Sequence, residues 1–108
     1  MIKFHTIINE DKWTVEVLSP TRYSDEIGDD SFGIMDDDSK TITFNASNLN
    51  RSIVKHEVHH AYWSYLCLDD CDSFTTDQIA EITAMFAEKH SDKVRKKALE
   101  IYKCITKG

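Results

Sequence analysis

Apolar and polar residues alternate along roughly the first 45 positions, and the period then changes. Residues 2–9 are apolar and partly alternating, and Trp13, Val15 and Val17 alternate with Thr14 and Glu16, the two-residue repeat of a strand with one buried face. Asn9-Glu10-Asp11-Lys12 supplies the turn of a first hairpin. Pro20 closes the second strand, and 21–31 reads as a polar loop. A second hairpin is predicted from 32–35, a turn at Asp36-Asp37-Asp38-Ser39-Lys40, and 41–44, with Ile42 and Phe44 on one face.

After Asn45 the spacing becomes helical. Asn48 or Asn50 caps a helix over 48–68. At about 100° per residue, Ile53, His56, His60 and Cys67 share one side of it. Val54, Val58, Ala61 and Tyr65 share a second, buried side, and Arg51, Lys55 and Tyr62 take the remainder. A polar stretch, 69–74, ends this helix. Thr75 and Gln78 have capping-box spacing and open a helix over 75–90, whose apolar arc runs from Ile79, Ile82 and Phe86 into Ala80, Ala84 and Ala87. Ser91 caps a third helix over 91–106, with Val94, Ala98, Ile101, Tyr102 and Ile105 on its apolar stripe and Lys93, Lys96, Lys97, Lys103 and Lys107 on its basic side. Four strands followed by three helices predict an α+β domain spanning 1–108, in which two N-terminal β-hairpins form a small antiparallel sheet packed on three C-terminal helices.

Composition narrows the function classes. The 108 residues are 41% hydrophobic and 30% charged, a folded globular balance rather than a disordered one. The formal charge is −6, which argues against indiscriminate nucleic-acid binding. It is unevenly spread: residues 1–92 carry 7 basic and 18 acidic side chains, whereas 93–108 carry 6 basic and 1 acidic. No apolar run has membrane-spanning length, so no membrane partner is expected. The start, Met1-Ile2-Lys3-Phe4-His5, lacks the apolar core of a secretory leader, and three cysteines are an odd number for a disulfide framework. Reduced thiols in a cytosol are the expectation.

The chemistry lies in His56-Glu57-Val58-His59-His60, a His-Glu-x-x-His motif. Residues four apart on a helix stand one above the other, so His56 and His60 are placed to share one metal ion, Zn²⁺ by donor type. Glu57 lies about 100° around, close enough to reach a metal-bound water without ligating. It is therefore the candidate general base. A catalytic zinc needs a third protein ligand and an open position. Glu81, early in the next predicted helix, is the foremost candidate, with Asp77 and His90 as alternatives. Glu81 also shares a helix side with Asp77 and Glu88, as a solvated acidic face would.

With His56, Glu57, His60 and Glu81 in this order, the chain resembles the gluzincin branch of zinc metallopeptidases, and within it the small, often phage-encoded His-Glu-x-x-His proteins. The resemblance implies a zincin-like minimal core, His56, His60 and Glu81 as ligands, Glu57 as general base, and a peptide or protein substrate. It also implies the host cytosol as location if the gene is phage-borne. Larger gluzincins often carry an Asp one turn after the ligand Glu; Met85 stands there. The alternative, from a different class of function, is a non-catalytic phage or mobile-element binding protein that occupies a host protein, with a structural or vestigial metal site.

Other features read more simply. His59 points toward the Lys55 side and is expected at the rim. Tyr23, His59, Tyr62 and Tyr65 are candidate oxyanion donors, and the wheel puts Tyr65 inward and Tyr62 outward. Cys67 reads as a buried apolar residue, Cys71 and Cys104 as ordinary thiols, and the runs Asp36-Asp37-Asp38 and Asp69-Asp70 as solvated turns. The lysine stripe after position 92 reads as a solvated face. Thr41–Asn45, just before the motif helix, is the expected edge for a peptide added as a strand.

Overall fold

A computed structural model describes residues 2–28, 31–65 and 76–107, the side chains at 64–65, 76–77, 79–80, 82–85 and 87–90 excepted. Strands β1 (Ile2–Ile8) and β2 (Asp11–Leu18) form the first hairpin. Ile8 pairs with Asp11, so only Asn9 and Glu10 form the turn, both at positive φ (49° and 72°). That is the two-residue turn whose twist matches its strands. Register then puts Ile2, Phe4 and Thr6 opposite Val17, Val15 and Trp13, so one face of the hairpin is apolar.

The expected loop at 21–31 is in part a helix, α1 (Pro20–Glu26). Ser19 accepts a hydrogen bond from the Arg22 N–H (3.3 Å) and Pro20 occupies the first turn, a helix start that the strand-ending reading of Pro20 overlooked. Tyr23 is the reason α1 stays down: its side chain is fully buried, and its hydroxyl lies 2.8 Å from the Ser31 hydroxyl.

β3 (Gly33–Asp36) and β4 (Thr41–Asn45) form the second hairpin. The Asp36 carboxylate accepts from the Asp38 and Ser39 N–H groups (3.0 and 3.4 Å), closing the turn locally. The strand order is β1-β2-β4-β3, and β4 runs parallel to β2. The sheet is therefore mixed, not antiparallel as expected. Each hairpin is antiparallel within itself, but the crossover through α1 and β3 delivers β4 to β2 in the same direction. β4 is interior, and β1 and β3 are the edges.

A single 3₁₀ turn, Ala46–Asn48, leads into α2 (Arg51–Tyr65). Asn50 is the cap, accepting from the Ile53 N–H at 3.0 Å. The expected helices over 75–90 and 91–106 are one, α3 (Thr76–Lys107), 32 residues long. Ser91 does not break it, because no Gly or Pro intervenes and the buried positions Phe86, Val94, Ala98, Ile101 and Ile105 keep one helical period across it. So two helices follow the strands and one short helix separates the hairpins, in place of three C-terminal helices. The architecture is α+β: the apolar side of the sheet, led by Trp13, Val15, Ile42 and Phe44, packs with Val54 and Val58 of α2 and Ile101 of α3 in one cluster. Among the described residues no helix is long and apolar enough to cross a membrane.

Candidate metal centre

The core side of α2 is Val54, Val58 and Ala61, each fully buried. A helix that turns those three inward must bring their flanks along. Glu57, beside Val58, is left with 7% of its surface exposed, while His56 and His60 are exposed. The wheel placed the histidines with apolar residues; the structure buries the glutamate instead.

His56 and His60 face each other. Their Nε2 atoms are 3.1 Å apart, and the rings meet edge to face at 85° with centroids 4.6 Å apart. Two imidazoles sharing a tetrahedral ion at about 2.0–2.1 Å bring their nitrogens to roughly 3.3 Å, so the pair is near the spacing of a two-histidine grip. Residues i and i+4 on one helix reach that spacing without rearranging the backbone.

The Glu57 carboxylate forms no hydrogen bond or ion pair among the described residues. Burial pushes its pKa up, and the nearby His60 and His56 charges pull it down by less. It borders a cavity of about 310 Å³ lined by Ser31, Phe32, Gly33, Ser52, Ile53, His56 and Glu57. Gly33 makes this approach possible: a Cβ there would sit 3.1 Å from Phe44 Cδ1 and 3.2 Å from Glu57 Cγ. An isolated glycine in a strand is the sequence signal of such a close contact, whereas nothing in the sequence singles out Ser31 or Ser52.

His59 is exposed, as expected of a rim residue, and packs along Trp63 (24° between planes) and against Phe86 of α3 (centroids 4.7 Å apart). Partial desolvation of the ring lowers its pKa, and the charges of His60, His56 and Lys55 lower it further. Tyr62 is buried, not outward as the wheel placed it, because α3 covers that side of α2. Burial, then the Glu100 charge, raises its pKa. Tyr23 is held by Ser31, which itself lines the cavity.

Glu81 is exposed on α3. Among the described residues, the set of three His, Cys, Asp or Glu side chains with ligand atoms all within 4.8 Å of one another is Asp36, Asp37 and Asp38, so Glu81 is not gathered with the histidines. The helix explains this: Glu81 is five residues, about 140° around, from Phe86, which packs against His59 and Trp63 of α2. The three aspartates are exposed on the β3–β4 turn. The alternative ligands Asp77 and His90, and also Tyr65, Cys67, Cys71, Asp69 and Asp70, lie outside the described side chains. Cys104 is a free, exposed thiol. Lys93, Lys96, Lys103 and Lys107 are exposed along α3. The expected peptide edge, Thr41–Asn45, is an interior strand bonded on both sides; the edge beside α2 is β3.

No protein-family model, curated protein or solved structure matches this chain.

Proposed function

We propose that the protein is a zinc-dependent hydrolase of peptide bonds in the manner of His-Glu-x-x-His metallopeptidases. The observation that supports this reading is the 3.1 Å approach of the His56 and His60 Nε2 atoms, beside Glu57, whose side chain is mostly buried and borders the cavity. His56 and His60 would hold the metal, with Glu81 the proposed third ligand although it is exposed on α3. Zinc held there would supply a Lewis acid that makes water more acidic. Glu57 would take a proton from the attacking water and return it to the departing amine. The β3 edge offers backbone groups to an extended peptide, and the cavity under Phe32 and Ile53 suits an apolar side chain of that peptide. The cytosol is the proposed location, given that three cysteines are an odd number for a disulfide framework.

Exposure of Glu81 favours a second reading, a non-catalytic protein that occupies a host protein. The two separate in one series. The hydrolase reading expects one zinc per chain in the wild type and in Glu57→Gln, none in His60→Ala, and cleavage of a peptide library by the wild type alone. Zinc without cleavage of any peptide, together with host-protein binding that survives His60→Ala, supports the second reading and removes the first.

A further inference from the structure

Away from the histidine pair, the first turns of α2 and the middle of α3 enclose a cleft of about 240 Å³ lined by Arg51, Lys55, Arg95, Ala98 and Leu99. Three of the five lining residues are cationic in a chain whose net charge is −6, and none is acidic. Arg51 and Lys55 stand one helical turn apart, where like charges repel, and neither forms an ion pair among the described residues. Arg51 instead lies over the Tyr102 ring, its guanidinium carbon 5.5 Å from the centroid. Arg95 reaches Asp92 at 3.3 Å, a pair open to water on both sides and weak for that reason.

The helix adds to the same field. Arg51 is the first residue of α2, and the first turn contains no acidic residue. The positive end of the α2 dipole is thus accompanied by cations rather than offset by a carboxylate. The floor is apolar: Ala98 is buried, and Leu99, one of the few large apolar side chains at the surface, keeps 39% of its area exposed. A cleft this small is below the range of drug-sized pockets and fits a compact group. Several cationic arms, two of them planar forks, match an anion with several equivalent oxygens better than a single carboxylate.

We propose that this cleft binds the phosphate group of a small organic phosphate, with Arg51, Lys55 and Arg95 around the oxygens and the organic part against Ala98 and Leu99. The site is independent of the hydrolase reading, since none of its residues belongs to the histidine centre.

The test is a titration of chelator-treated, isotope-labelled protein with inorganic phosphate and with phenyl phosphate, read by amide shifts at constant ionic strength. Saturable shifts confined to the amides around 51–55 and 95–102 are expected, with phenyl phosphate the tighter of the two. Lys55→Gln and Arg95→Gln should each weaken binding about threefold and together about tenfold, in line with exposed charge contacts. His60→Ala should leave it unchanged, so the metal reading can fail without touching this one. The absence of saturation below about 20 mM, where even a millimolar site would fill, overturns the proposal. So do equal shifts from matched sodium chloride, unaltered binding in the double variant, or tighter binding of an acidic peptide or an oligonucleotide at the same amides. The single variants keep the question open to test if the double variant does not fold.

Discussion

Glu57 carries two burdens, burial and proximity to two histidines, and the first dominates its ionisation. A carboxyl whose folded pKa is raised holds its proton longer in the folded chain than in the unfolded one. Its contribution to stability is then greatest at low pH and is lost as pH rises from the ordinary value of 4.5 through the folded value. In metal-free protein, Glu57→Gln should be more stable than the wild type at pH 8, by about 1 kcal/mol at most, the low end of the cost of burying a polar group. The two should converge near pH 4, and urea unfolding at the two pH values measures this. A wild type that gains stability with pH relative to Glu57→Gln would contradict it. Gly33 lies close to the same side chain, at its Cγ, from the sheet. Gly33→Ala puts a methyl group 3.1–3.2 Å from Phe44 and Glu57, so a loss of about 1–3 kcal/mol is expected on thermal unfolding, as for other overpacked contacts.

The elements were legible where periodicity is strong. Both hairpins and the motif helix follow from alternation and from Asn50 as a cap. α1 leaves no periodic stripe in the sequence, because Tyr23 is its one buried residue, although Ser19-Pro20 is a readable start signal. Ser91 misled in the opposite direction: serine caps helices well but is also tolerated inside them, and only packing tells the two apart. The continuity of α3 makes a signed prediction. Within a helix, Ser91→Ala should stabilise by about 0.5 kcal/mol; at a cap it would cost about 1 kcal/mol. Chemical denaturation of this single variant distinguishes the two.

For the molecule as a whole, the sheet sets the relation between α2 and β3 from which the candidate centre follows. β4 lies between β2 and β3, so the edge next to His56 and Glu57 is Gly33–Asp36. Ligand binding to the folded state alone raises its stability by mass action. If His56 and His60 hold zinc, free zinc at about 100 times Kd should stabilise the wild type by roughly 2.7 kcal/mol. His60→Ala should show no such gain, and calorimetry with and without chelator reads the difference. An equal gain in both proteins would move the metal elsewhere, with the exposed Asp36–Asp37–Asp38 turn the first place to look.

Local order along the chain was enough to show two hairpins, a helix with histidines one turn apart, and a carboxylate beside them, because alternation, caps and the i, i+4 spacing depend on nearest neighbours alone. Which of those side chains is buried was not readable. His56 and Glu57 are adjacent in the chain, and it is the close approach of Gly33 from the sheet that helps cover Glu57 while the imidazoles stay outside. The parallel pairing of β2 with β4, the single long α3 and the outward placement of Glu81 share that cause: each depends on contacts between residues far apart in the chain, which no local pattern records.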